Sequence, residues 1–147
     1  MSAPASAGAG FLLAVLWFDL MFDVQVRGST GPALEEQTLA SIAGYYARVT
    51  TAARPMNRLI TAVMLATLAA IVAEIAQSAG WAAWLALVLA VLPISLAGAR
   101  VVPNAVRLGT RGDAIERQST LARSIFRDHI LCAASITGLL VVQLALL

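Results

Sequence analysis

Two acidic residues within an apolar stretch are the first feature of this sequence that could do chemistry. Asp19 and Asp23 lie in residues 7–26, a segment otherwise rich in leucine, phenylalanine and valine. Residues four positions apart share one face of an α-helix, so the two carboxylates are expected to project on the same side. Two carboxylates so placed repel each other unless a proton, a cation or an arginine lies between them. The pair therefore indicates either a binding site or a buried ion pair.

The only histidine of the chain follows another acid. Arg127, Asp128 and His129 open the last apolar stretch. Histidine and aspartate can act together as acid and base on a bound molecule, or can bind a divalent cation. We therefore interpret Asp19, Asp23 and His129 as candidate catalytic residues, with a divalent-cation site made of the same three residues as an alternative. The structural alternative is that the aspartates form salt bridges with arginines of neighbouring helices and stabilise the bundle.

The elements that would position these residues follow from the composition. Of the 147 residues, 60% are apolar and 12% charged, whereas soluble domains are about 25% charged. Crossing a hydrocarbon core takes about 20 helical residues. Four stretches are long enough, namely residues 7–26, 56–78, 81–102 and 126–147. We therefore expect an all-α fold, an integral membrane four-helix bundle that forms a single domain over residues 1–147.

The arginines predict which side of the membrane each loop faces. All ten strongly basic residues are arginines, and they lie in residues 27–58 and 100–128. The turn Gln77-Ser78-Ala79-Gly80 carries no charge. Because basic loops remain in the cytoplasm, we expect both arginine-rich loops on the cytoplasmic side of a bacterial inner membrane and both termini outside. The arginines flank apolar spans, which favours lipid headgroups over nucleic acid as their partners.

The first of these loops contains a helical pattern of its own. Thr30-Gly31-Pro32 precedes two glutamates, an arrangement typical of a helix start. Apolar residues then recur at helical spacing, at Leu39, Ile42, Tyr46, Val49 and Ala53. An amphipathic interfacial helix is therefore predicted over about residues 33–53, on the membrane surface or capping the bundle, with Arg48 outward.

Further polar residues are expected at the cytoplasmic end, beside the histidine. Arginines there could bind an anionic group of a ligand. The candidate ligand-binding residues are Asn57, Asn104, Arg54, Arg58, Arg100, Arg107, Arg127 and Asp128. Near the outer end, Glu74 is expected to snorkel to water, with a part in proton exchange as the alternative. Tyr45 and Tyr46 are interpreted as interfacial anchors.

Two short motifs resemble those of a known family. Arg54-Pro55-Met56-Asn57 opens the second span, and Arg127-Asp128-His129 opens the last. Together with the four short spans, they resemble the anthrone-oxygenase-like family of small membrane proteins, in which a Pro-x-Asn element and late His and Arg residues recur. The resemblance implies oxidation of an aromatic polyketide without a recognised cofactor, with Asn57, Arg127 and His129 as the residues carried over.

Three functions are compatible with these features. We favour a small membrane enzyme or binding protein whose polar pocket, at the cytoplasmic end, accepts a lipophilic or lipid-like substrate with or without an anionic group. The alternatives are a proton- or cation-coupled transporter built as a homo-oligomer, and a non-catalytic subunit or assembly factor. The sequence contains no phosphate-binding glycine loop, HExxH zinc motif or nucleophile elbow. Nucleotide hydrolysis and common hydrolase chemistry are therefore disfavoured.

Overall fold

The structure, a computed structural model, describes residues 3–78 and 80–146, with the side chain of Arg54 excepted. Every regular element in this part of the chain is helical. The helices are α1 (Ala3–Asp23), α2 (Glu36–Tyr46), α3 (Arg54–Gln77), α4 (Trp81–Leu96), α5 (Val102–Thr110) and α6 (Ile115–Ala145). A 3₁₀ turn, Val24–Gly28, extends α1, and π-helical turns extend α2 through Ala47–Ala52 and join α4 to α5 through Ala97–Val101.

Four helical segments are long and apolar enough to cross a membrane, as the sequence predicts. They are Ala3–Gly28, Pro55–Gln77, Trp81–Thr110 and Ile115–Ala145, with mean hydropathies between 1.6 and 2.3. The third runs past its predicted end at residue 102 because Pro103 falls in the first turn of α5, where a missing N–H is tolerated. The last begins before residue 126 because the arginine-rich segment leading into it is helical too.

Large apolar side chains cover the outer surface of these segments. Trp17, Leu65, Trp81 and Val141 are each more than half exposed. Soluble proteins rarely expose contiguous apolar patches larger than roughly a few hundred Å². An exterior of this kind is suited to hydrocarbon, where it displaces no water.

Helix α2 covers one end of the bundle and buries its apolar stripe. Leu39 and Ile42 pack with Leu108 of α5 and Ile125 of α6 in one apolar cluster. Arg48 lies on the opposite face and is exposed. A helix is therefore present within the predicted stretch, and Leu39, Ile42 and Tyr46 of its apolar stripe face inward. Its place at a membrane interface stays a prediction.

The two arginine-rich loops meet at this same end. Arg111 donates to both carboxylate oxygens of Glu36, at 2.6 and 2.8 Å. Arg123 donates to the backbone carbonyl of Pro32 at 3.0 Å. Because these bonds join the first loop to Arg111, which follows α5, and to Arg123 of α6, they hold α2 over the bundle.

Close packing between α1 and α3 depends on a glycine in the other half of the molecule. Gly8 of α1 faces Thr67 of α3, and a Cβ atom at Gly8 would overlap the Thr67 hydroxyl oxygen. Thr67 is buried, and its hydroxyl donates to the carbonyl of Val63 at 2.8 Å. A Cβ atom at Gly10 would meet no described atom within 4 Å. A side chain at Gly8, and not one at Gly10, would therefore prevent the close approach of α1 to α3.

We predict that Gly8→Ala destabilises the protein by about 1–3 kcal/mol, because the new methyl group must displace Thr67 or separate the helices. Gly10→Ala, the matched control, should be neutral or slightly stabilising because alanine favours the helix. Thermal unfolding in detergent measures both, and Thr67→Ala should restore part of the loss in the Gly8→Ala background. Equal stability of the two alanine variants would contradict the packing described.

Candidate functional site

A histidine–aspartate pair lies at the level where α2 covers the bundle. The Nδ1 atom of His129 lies 2.6 Å from Oδ2 of Asp23. Asp23 ends α1 and is completely buried, and His129 of α6 is 4% exposed. The other carboxylate oxygen of Asp23 accepts a hydrogen bond from the Tyr46 hydroxyl at 2.6 Å. Three elements, α1, α2 and α6, thus meet at one carboxylate.

The partners of the imidazole locate its proton. An ionised carboxylate only accepts hydrogen bonds, so we assign Nδ1 of His129 as the donor to Asp23. Burial and the neighbouring charge of Asp23 raise the pKa of Tyr46, so its hydroxyl remains the second donor. The Nε2 atom lies 3.8 Å from Oδ2 of Asp19, a separation too long for a hydrogen bond. Nε2 is therefore the nitrogen that can exchange a proton with another molecule.

Asp19 is held beside Nε2 by a tyrosine. The Tyr45 hydroxyl donates to Oδ1 of Asp19 at 2.7 Å. The Tyr45 ring stacks on Phe22, with ring centroids 4.1 Å apart. The side chain of Asp19 is 15% exposed, whereas that of Asp23 is fully buried. The two aspartates, although one helical turn apart, therefore differ in what can reach them.

Two predictions about these residues are wrong. Tyr46 is buried and donates to Asp23, so it is not an interfacial anchor, and Tyr45 bonds Asp19. Tyr46 belongs to the apolar stripe of α2 that faces inward, and this position in the sequence pattern could have assigned it to the site. Nor do the aspartates form salt bridges with arginines in the part of the chain described, where the basic side chain within 4.0 Å of each carboxylate is that of His129.

A cavity of about 310 Å³ adjoins this cluster. Its polar wall is formed by Asp19, Tyr45, Tyr46, Thr50, Asn57 and His129. The rest of the wall is largely aliphatic and includes Leu12, Val15, Leu16, Ile60, Met64 and Ile136. Two lining residues, Phe18 and Met56, are 60% and 48% exposed, so the cavity reaches the apolar outer surface. Its shape and lining suit a mostly apolar molecule with one polar end.

Irregular helix geometry accompanies the cavity. Pro93 of α4 has no N–H to donate to the preceding turn, and the π-helical turn Ala97–Val101 follows it. A π-helical turn holds more residues than an α-helical turn and is often found at functional sites. Pro93, Ala97 and Val101 all line the cavity. The backbone of the third span therefore departs from an α-helix where it borders the cavity.

Among the predicted ligand-binding residues whose side chains the structure describes, one lines this cavity. Asn57 does, and its amide also donates to the carbonyl of Thr50 at 3.4 Å. Arg58 instead lies in a separate surface groove, which Asn57 and Thr50 also border. Asn104 is absent from the described wall, and Arg127 is exposed to the outside. The side chain of Arg54 lies outside the described residues.

Two arginines expected at the pocket pair with acids elsewhere. Arg100 lies 3.3 Å from the buried Oδ2 of Asp128. Arg107 donates to both carboxylate oxygens of Asp113 at 2.7 Å, and this hydrogen bonding holds the pKa of Asp113 below its ordinary value. None of Arg100, Arg107 and Asp128 lines this cavity, so their contact with a ligand stays a prediction without support from it.

The geometry of this site gives no support to the alternative prediction that Asp19, Asp23 and His129 bind a divalent cation. The described residues contain no group of three or more His, Cys, Asp and Glu side chains placed to hold a metal ion. Asp23 and His129 are occupied with each other, and a cation between them would have to break their 2.6 Å bond. The arrangement instead suits proton exchange at Nε2, with Asp23 orienting the ring.

Comparison with known proteins gives no match from which the role of the site could be taken, so the site is interpreted from its geometry. No family model, no curated protein and no solved structure matches the chain. The resemblance to the anthrone-oxygenase-like family therefore stays a prediction. Of the residues it implies, Asn57 and His129 both line the cavity, whereas Arg127 does not.

Tyr46→Phe is predicted to destabilise the protein by about 1.5–3 kcal/mol, because the buried carboxylate of Asp23 loses a hydrogen bond that nothing replaces. Tyr45→Phe is the matched control. It should have a smaller effect, since Asp19 faces the cavity and can be solvated there. Unfolding in detergent measures the two variants side by side. Equal losses of stability in the two variants would contradict this prediction, because the hydrogen bond to the buried Asp23 would then contribute no more than the one to Asp19.

Proposed function

We propose that this chain is an integral membrane protein that binds a lipophilic small molecule in the cavity beside His129 and uses that histidine to exchange a proton with it. One observation carries the proposal. His129, oriented by a fully buried aspartate, lines a cavity of about 310 Å³ with mostly apolar walls. A histidine in such a setting is typical of general acid–base chemistry.

The residues around the imidazole suggest how the exchange would proceed. Nε2 would take a proton from, or give one to, the polar group of the bound molecule. Asp23 would keep Nδ1 as the hydrogen-bond donor and stabilise the positive charge that develops on the ring, as the aspartate of a catalytic triad does. Asp19, held by Tyr45, would accept a hydrogen bond from a second polar atom of the ligand. The apolar walls would keep water from competing.

The cavity favours a ligand of limited size that arrives from the bilayer. Its volume lies near the lower end of small-molecule pockets, which begin at about 300 Å³. Phe18 and Met56 are exposed at its wall, on the surface that would face lipid. No described lining residue is an arginine, so nothing in the wall favours an anionic substrate over a neutral one. We therefore propose a neutral, lipophilic substrate with one ionisable or hydrogen-bonding group.

Native mass spectrometry of the protein, extracted in mild detergent from the membranes in which it is made, tests this proposal. We expect the wild type to carry a lipophilic molecule and His129→Gln to lose it, with roughly tenfold weaker binding for the loss of one good hydrogen bond. Arg127→Gln changes an exposed residue two positions away and should keep the molecule. An empty wild type, or equal loss in both variants, would contradict the proposal.

We also propose that the arginine-rich end, and with it the cavity, lies on the cytoplasmic side. In a Cys132→Ser background, Ser78→Cys and Gly112→Cys each introduce one exposed thiol, at opposite ends of the bundle. A membrane-impermeant maleimide should label the Ser78 variant on intact cells. It should label the Gly112 variant only after the membrane is opened. The reverse pattern would place the cavity on the outer side.

A further inference from the structure

A second polar cluster lies at the opposite end of the bundle from His129. Gln143 of α6 donates from Nε2 to Oε2 of Glu74, on α3, at 2.8 Å. Gln143 is completely buried, although it lies within the last turn of its helix. The expectation that Glu74 snorkels to water is therefore wrong, because its carboxylate is bound by a side chain of the core.

Three buried oxygen atoms in this region form no hydrogen bond within the described structure. They are Oε1 of Glu74, Oε1 of Gln143 and the hydroxyl oxygen of Ser6. Each belongs to a different helix, and each lies within about one turn of the helix end opposite the arginine-rich loops. Helix α1 packs antiparallel to both α3 and α6, which brings the three residues to one level. Buried polar atoms are nearly always satisfied, so this group requires a partner.

The charges of the chain restrict what that partner can be. Glu74 is acidic, and all ten arginines lie in residues 27–58 and 100–127, at the other end of the bundle. Among the described residues, no basic side chain lies at this end to offset the carboxylate of Glu74. An acid within an apolar bundle needs a compensating charge, and such residues mark ion sites by default. The partner expected here is positively charged and small enough to fit among closely packed helices.

We propose that Glu74, Gln143 and Ser6 bind one monovalent metal cation. The unsatisfied atoms are a carboxylate, an amide and a hydroxyl oxygen, which are the ligands that hard cations prefer. One carboxylate supplies one negative charge, which matches a monovalent cation and leaves a divalent one uncompensated. The hydrogen bond from Nε2 of Gln143 to Oε2 of Glu74 holds the two side chains together, and it leaves one oxygen of each without a partner. This inference is independent of the function proposed for the His129 cavity, because Glu74, Gln143 and Ser6 do not line that cavity.

Thermal unfolding of the purified full chain in detergent tests the site, with sodium chloride replaced by choline chloride at constant ionic strength. A cation that binds only the folded state raises the unfolding temperature, by about 5–10 °C when its concentration reaches roughly a hundredfold excess over its dissociation constant. We expect a saturable increase of this kind in sodium relative to choline. Potassium chloride in place of sodium chloride shows whether the site distinguishes the two ions.

Variants separate the site from general salt effects. Glu74→Gln removes the charge but keeps a side chain that can pair with Gln143. This variant should therefore have the same unfolding temperature in sodium chloride and in choline chloride. Glu116→Gln, an exposed acid at the other end of α6, should keep the full response. Ser6→Ala is the milder change, and should raise the sodium concentration at half-maximal effect even if Glu74→Gln does not fold.

Two results would overturn the proposal. The first is a wild type whose unfolding temperature is the same in sodium, potassium and choline chloride. If that temperature then changed with pH alone, Glu74 would bind a proton and not a metal cation. The second is a sodium response that persists unchanged in Glu74→Gln or in Ser6→Ala.

Discussion

The hydrogen bond between Nδ1 of His129 and the carboxylate of Asp23 is the interaction on which the rest of the structure depends. It joins residues 106 positions apart and ties the end of the first span to the start of the last. A buried carboxylate is costly unless it is bonded on both oxygens, and the Tyr46 hydroxyl supplies the second bond. Because Tyr46 comes from α2, the requirement to satisfy Asp23 also fixes the helix that covers the bundle.

The two ends of the bundle have opposite electrostatic character. At the end covered by α2, arginines bind the carboxylates and carbonyls of the loops, so the loops are held without entering the cavity. Among the described lining residues, the histidine is the basic side chain that faces the cavity. At the other end the arginines are absent, and the carboxylate of Glu74 is bound by a buried amide. Acids at the two ends of one small bundle are therefore stabilised by different means.

Much of the fold could be predicted from the sequence, because the length and apolarity of a span are local properties. The four helices and the inward face of α2 follow from residue spacing alone. The convergence of Asp19, Asp23 and His129 followed from topology, since the end of the first span and the start of the last must share one side. The partners of the aspartates did not follow. Whether an arginine or a tyrosine reaches a buried carboxylate depends on loop contacts such as Arg111 with Glu36, which have no local signal. The π-helical turn between Pro93 and Pro103 is likewise visible only in the backbone.

The protonation of the only histidine tests this account most directly. Nitrogen-15 NMR of the protein labelled at histidine gives one imidazole, because the chain contains a single histidine. We expect that Nδ1 carries a proton in a short hydrogen bond, and that Asp23→Asn, but not Arg127→Gln, changes this signal. A bare Nδ1 with the proton on Nε2 would contradict it, since Asp23 would then not orient the ring and the nitrogen at the cavity would not be the one free to exchange.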